Sequence, residues 1–157
     1  GDRFESRDRL LALVTDHDLV ILDRYVASNI AYNAAKVPGH EQADLITWID
    51  QLEFGMFDLP RPDLTLLLAT STALADRLVG EKAARSYTDQ TRDMHEANRG
   101  YLDQVAYVYG QLAAAGGDSW LTVDPTDSSG NLRPPDDIAA GIWLHPRLAG
   151  LGHIRST

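Results

Sequence analysis

Apolar residues recur along this chain in two rhythms, short uninterrupted runs and stripes spaced by three or four, and the two alternate. Leu10, Leu13 and Val14 lie on the stripe of a helix whose polarity is already established from Asp2 to Arg9, as expected of a chain that continues from a longer sequence. Asp16-His17-Asp18 breaks that stripe. Leu19-Val20-Ile21-Leu22 follows, a run with the length and residue types of a strand covered on both faces, and it ends abruptly in Asp23-Arg24-Tyr25. Val26, Ile30 and Ala34 then mark one face of a short helix closed by Val37-Pro38-Gly39. Leu45, Ile49, Leu52 and Met56, with Trp48 beside them, form the stripe of a longer helix that Leu59-Pro60-Arg61-Pro62-Asp63 stops.

A second strand is predicted from Leu64 to Thr70, with Ser71-Thr72 capping a helix that bears Leu74 and Leu78. Periodicity lapses from Gly80 to Asp89, where a loop is expected. Met94, Ala97, Tyr101, Val105, Val108 and Leu112 predict a long helix from about Asp89 to Ala115, ended by Gly116-Gly117. Trp120 to Asp124 reads as a third strand, Pro134-Pro135-Asp136-Asp137 starts a last helix with Ile138 and Ile142, and the tail 145–157 is expected to pack loosely. Hydrophobic runs alternating with amphipathic helices predict a single α/β domain over 1–157 with a doubly wound parallel sheet. Ligands of such sheets bind at the carboxyl ends of the strands, where Asp23 and Arg24 would lie.

Composition narrows the function classes. A net charge of −9 and a pI near 4.8 argue against a broad surface for nucleic acid or anionic membrane, so any phosphate must be gripped locally. Lys36 and Lys82 are the only lysines among 14 basic residues, and the arginine excess suits bidentate recognition of phosphate or carboxylate. With 0 cysteines, disulfides and thiolate metal sites are excluded and a reducing cytosol is the expected setting. The 5 histidines show no metal-ligand spacing. No apolar run approaches the ~20 residues of a membrane span, and no signal sequence leads the chain.

A phosphate loop of the form G-x-x-x-x-G-K-[ST] is absent, since no Gly-Lys pair occurs anywhere. What is present is an ordered set: Asp23-Arg24-Tyr25, then Ser28-Asn29 and Tyr32, Glu53-Phe54, Leu59-Pro60-Arg61-Pro62-Asp63 before a strand, and a basic loop ahead of Arg92-Asp93-Met94-His95-Glu96. In this order the chain resembles the thymidylate kinases, most closely the actinobacterial members, over roughly residues 1 to 125. The resemblance implies a P-loop kinase-like three-layer α/β/α fold with a parallel sheet, of which the N-terminal strand and phosphate loop are absent from this sequence. It further implies ATP as phosphoryl donor, Mg2+, dTMP as acceptor, a homodimer, and a cytoplasmic enzyme.

The resemblance also implies roles. Arg24 would orient the dTMP phosphate, its guanidinium fork matching two phosphate oxygens. Asp23 would hold Arg24 or join the water shell of Mg2+. Asn29 would read the thymine edge, Tyr32 would pack beside the deoxyribose, and Arg3 would hydrogen-bond a thymine carbonyl. Residues 77–89 correspond to the lid, with Arg77, Lys82 and Arg85 as its cations and Arg85 first in line to stabilise the transferring phosphoryl group. Asp93, His95 and Glu96 correspond to the stretch that closes on the sugar side, with His95 standing where an aromatic is usual.

The chain thus reads as the carboxyl-terminal two thirds of a thymidylate kinase, expected to be inactive by itself because the backbone cradle and lysine for ATP are missing. Two competing readings are a non-catalytic nucleotide-binding or dimerisation module, for which the apolar stripe of residues 10 to 14 could serve, and a deoxynucleoside kinase.

Overall fold

The helix predicted from Val26, Ile30 and Ala34 lies at the centre of the molecule. The computed structural model describes residues 6–70, 74 and 90–149 and, in the last of these ranges, the side chains of 99–146 and 148. In chain order the elements are α1 (Arg7–Asp16), α2 (Val26–Ala34), α3 (Gly39–Asp50), a π-helical turn (Gln51–Met56), β1 (Thr65–Leu68), α4 (Gln90–Gly116), a 3-10 turn (Gly117–Ser119), β2 (Trp120–Val123), α5 (Pro135–Trp143) and the short α6 (Pro146–Ala149).

Helix α2 is central because two of its faces are apolar. Val26 and Ile30 pack with Ile49 and Leu59, joined by Tyr25, Phe54 and Phe57. Ala31 and Ala34, which are completely buried, let α4 approach closely and pack with Val105 and Val108. The carboxyl end of α2 is closed by buried Gln42, whose Nε2 donates to Ala34 O at 3.1 Å and so satisfies a carbonyl that the helix leaves over.

Strand β1 pairs in parallel with β2, in the register Thr65 to Trp120 through Leu68 to Val123, and Ala69 N extends the ladder to Val123 O at 2.9 Å. Among the described residues the sheet has these 2 strands, consistent with the α/β class. The expected strand at Leu19–Leu22 does not form. Among the described residues that run pairs with no strand, and Ile21 is 78% and Leu22 43% exposed. A strand needs a ladder for its N–H and C=O groups, and an apolar run reports a preference for burial whether or not a neighbouring strand is there to satisfy it. Leu66 and Leu68 of β1 are also exposed.

Two further expectations are corrected. Helix α1 buries no residue, so its predicted stripe faces solvent at Leu13 and Val14. It is fastened instead through Arg7, which donates to Asp58 O at 3.2 Å, to the Asp58 carboxylate, and to Asp8 Oδ1 at 3.1 Å. Met56 leaves the α3 stripe and is exposed because the helix widens into a π turn, seen in Phe57 N donating to Leu52 O at 2.9 Å. The wider turn changes the phase of the side chains. Glu53, on the same turn, is buried. The proposed cap at Ser71-Thr72, Leu78 and tail residues 150–157 lie outside the described residues.

Helix α4 ends at Gly116, followed by Gly117 at φ +51, the left-handed backbone that a glycine adopts without strain. A Cβ on Gly116 would overlap the indole ring of Trp120 at Cδ1. Gly116→Ala is therefore expected to lower stability by about 1–3 kcal/mol, measured as a fall in urea midpoint at unchanged m.

Beyond β2 the chain turns on two carboxylates. Asp124 Oδ1 accepts from Thr126 Oγ1 at 2.6 Å and Thr126 N at 2.8 Å, and Asp127 Oδ1 accepts from Ser129 N at 2.8 Å and Asn131 N at 2.9 Å. The Thr126 hydroxyl, then its N–H, and more weakly the charge of Arg133, hold Asp124 below the usual carboxylate range. A depressed folded pKa means that this turn's stabilisation is complete above the unfolded carboxylate value and is lost as pH falls through the folded one. The Asp124 Cγ resonance is expected to titrate below the ordinary ~3.9, and Thr126→Ala to move its midpoint upward.

Candidate functional site

The site is built where the chain enters α2. Arg24 has φ 62, a left-handed backbone that costs a residue with a Cβ about 1–2 kcal/mol. Such strain persists only where the surroundings impose it, and it clusters at functional positions. The Arg24 side chain lies over Tyr32, with Cζ 5.3 Å from the ring centroid and Nη2 donating to Tyr32 Oη at 3.5 Å. This cation–π contact fixes the guanidinium against a residue of α2. Asp23 is exposed and forms no ion pair with Arg24 among the described residues. The N-cap residue Tyr25 gives α2 no side-chain cap. The positive end of the α2 dipole begins two residues beyond Arg24, and a helix start of this kind favours an anion.

Tyr25 is the anchor. Its hydroxyl donates to Pro60 O at 3.1 Å and its ring meets Phe54 edge-on at 6.3 Å between centroids. Arg61 stacks over the other aromatic partner, with Cζ 4.1 Å from the Phe54 centroid, and forks onto Asp50 at 2.9 and 2.6 Å. That carboxylate raises the Arg61 pKa above its ordinary value. The Asp-Arg-Tyr and Leu-Pro-Arg-Pro-Asp signatures, far apart in sequence, are thus one packed unit.

Asn29, Tyr32 and Asn33 occupy the next turns of α2. Asn29 Nδ2 donates to Glu53 Oε1 at 2.6 Å, and Asn33 Nδ2 donates to Asn29 Oδ1 at 2.7 Å and Asn29 O at 2.9 Å. Tyr101 of α4 donates to Tyr32 O at 2.8 Å and packs edge-on against the Tyr32 ring at 6.2 Å. Tyr109 donates to Ser28 Oγ at 2.9 Å. These bonds leave α2 little freedom to rotate, so Arg24, Asn29 and Tyr32 are held on one rigid element.

Of the residues singled out in the sequence, Arg24 and Tyr32 are in contact, Asn29 lies on the same helix as Tyr32, and Asp23 is only the chain neighbour of Arg24. Arg3, Arg77, Lys82 and Arg85 lie outside the described residues, as do the side chains of Asp93, His95 and Glu96, whose backbone belongs to α4. Glu53 and Tyr101 were not assigned any role from the sequence. For Glu53 a signal existed, because it follows Ile49 by four and so puts a charge on the buried face of its helix. Among the described residues no three His, Cys, Asp or Glu side chains gather as a metal cluster, and no helix is long and apolar enough to cross a membrane. An open depression of about 530 Å³, lined by Gly117, Asp118, Trp120 and His145, lies at the amino end of β2, away from the strand ends where parallel sheets bind ligands.

Residues 2–133 match the family described as "Thymidylate kinase". Thymidylate kinases from two strains of Mycobacterium tuberculosis, CDC 1551 and H37Rv, are each 37% identical over 140 residues, 86% of this chain and 65% of theirs. The thymidylate kinase of Dictyostelium discoideum is 33% identical over 87 residues, 55% of this chain and 35% of its own. The chain therefore spans about two thirds of the length of the mycobacterial relatives.

Proposed function

The chain belongs to the thymidylate kinase family, and from that premise we propose that it supplies the acceptor side of an enzyme that transfers the γ-phosphate of ATP to dTMP. A phosphate oxygen of dTMP bonds to the γ-phosphorus as the bridge to the β-phosphate breaks, giving dTDP and ADP. The observation that carries this reading is the strained Arg24 fixed over Tyr32 at the uncapped start of α2. Its fork and the helix N–H groups suit a phosphate dianion.

In this reading Asn29 meets the thymine edge, with Arg3 on a carbonyl, and Tyr32 flanks the sugar. Asp93, His95 and Glu96 close the sugar side, while Arg77, Lys82 and Arg85 belong to the lid over the phosphates. Mg2+, when bound, would neutralise charge on the donor phosphates. Asp23, an exposed carboxylate beside the phosphate-binding Arg24, fits a contact to its water shell. Residues 1–157 hold no phosphate-loop motif, so the chain by itself is expected to bind dTMP without turning it over. A homodimer of cytoplasmic enzyme completes the proposal, in a three-layer α/β/α fold.

ADP formation measured for the natural full-length protein is expected with dTMP and not with thymidine, while dTMP titrated into the 157-residue chain gives saturable binding. Turnover of thymidine would point to a deoxynucleoside kinase. Binding of dTMP without turnover at full length would favour a non-catalytic module.

A further inference from the structure

Glu53 has no role in the proposed reaction, yet it is a carboxylic acid only 5% exposed. Burying such a group is unfavourable unless it is hydrogen-bonded. One partner is the residue proposed to read the base, since Asn29 Nδ2 donates to Glu53 Oε1 at 2.6 Å. On the opposite side of the same carboxamide, Asn33 Nδ2 donates to Asn29 Oδ1 at 2.7 Å. Asn33 is itself tied to the helix through Asn29 O at 2.9 Å. Turning the Asn29 amide over would set its oxygen against the carboxylate and its NH2 against another NH2. Both contacts would be repulsive, so the amide has one orientation.

A carboxamide has two N–H donors and two acceptor sites. Glu53 and Asn33 take one of each and leave one of each for a ligand. Thymine and uracil present a ring N–H beside a carbonyl, whereas cytosine presents a ring nitrogen acceptor beside an amino group. An amide free to turn over can satisfy either pattern, and one that is locked can satisfy only one.

We infer that Glu53 is a positioning residue for base selection: through Asn29, and with Asn33 as counterpart, it makes the acceptor site choose an imide-edged pyrimidine over cytosine. This rests on the reading of residues 23–32 as the dTMP site.

The test uses Glu53→Gln in the full-length protein, because glutamine keeps the length and can offer either oxygen or NH2 to Asn29. Loss of a paired base contact is expected to lower the dTMP to dCMP ratio of kcat/KM by about tenfold or more. KM for dTMP should rise while KM for ATP stays within about twofold, and adding Glu53→Gln to Asn29→Ala should change the ratio by less than about twofold. Asn33→Ala removes the donor on the other side, should shift the ratio in the same direction, and carries the test if Glu53→Gln does not fold. A merely structural Glu53 would depress both nucleotides alike and leave the ratio unchanged. Ratios within about twofold of wild type in both single variants overturn the inference while leaving the kinase reading intact. A wild-type protein that does not use dTMP overturns the kinase reading itself.

Discussion

Arg24→Ala in the full-length protein is expected to lower kcat/KM for dTMP by about 10²–10³-fold, the usual consequence of removing a preorganised charged donor from a reacting group. Arg24→Lys keeps the charge but not the fork, so it should recover only part of the loss. The backbone adds a second readout that separates the site from general damage. At φ 62 the alanine variant keeps the left-handed strain, whereas glycine relieves it at the expense of a more flexible unfolded chain. Arg24→Gly should therefore be as inactive as Arg24→Ala yet more stable than it by about 0.5–1 kcal/mol. Equal activity of Arg24→Ala and wild type toward dTMP would remove Arg24 from the acceptor site. An alanine variant more stable than the glycine one would mean that the left-handed turn is not kept in solution.

Ile30→Ala in the 157-residue chain is expected to cost about 2–5 kcal/mol, read as a fall in urea midpoint. Ile30 joins Val26, Ile49 and Leu59 in the cluster that seats α2 on α3, and the relaxed cavity would loosen the element that carries Arg24, Asn29 and Tyr32. A loss of this size is a large part of the ~5–15 kcal/mol that holds a typical domain together. Ile21→Ala is the control. Ile21 is equally apolar but 78% exposed, so its truncation should change stability by no more than about 0.5 kcal/mol. If Ile21 cost as much as Ile30, residues 19–22 would be buried in solution and the strand expected from their sequence would exist after all.

These two isoleucines show where sequence was a sufficient guide. Val26, Ile30 and Ala34 recur at helical spacing on a helix whose partners α3 and α4 are both present, and the predicted face is the buried one. The long helix to Gly116 and the strand at Trp120 likewise follow from local pattern and a local stop. The run at Leu19–Leu22 carries an equally clear pattern, but strand formation depends on a neighbour elsewhere in the chain, and no pattern within four residues reports one. Met56 left its expected place for a related reason. The π turn that rotates it off the stripe is invisible to a count of three or four.

The candidate site divides in the same way. Asp23, Arg24, Asn29 and Tyr32 were legible because their order and spacing resemble those of a family to which the chain belongs. That Tyr25 ties its motif to Pro60, that Tyr101 holds Tyr32, and that Glu53 and Asn33 grip Asn29 from two sides were not legible.

By itself, then, the sequence determined the buried face of α2, the stop of the long helix at Gly116 and the family, all of which are written in local spacing and short ordered motifs. The tertiary structure alone decided which apolar runs found a ladder, which acid was buried, and which way the Asn29 amide faces. Each of those depends on a partner brought near by folding, and the free energy of a strand, a buried carboxylate or a fixed amide resides in the pair and not in either residue.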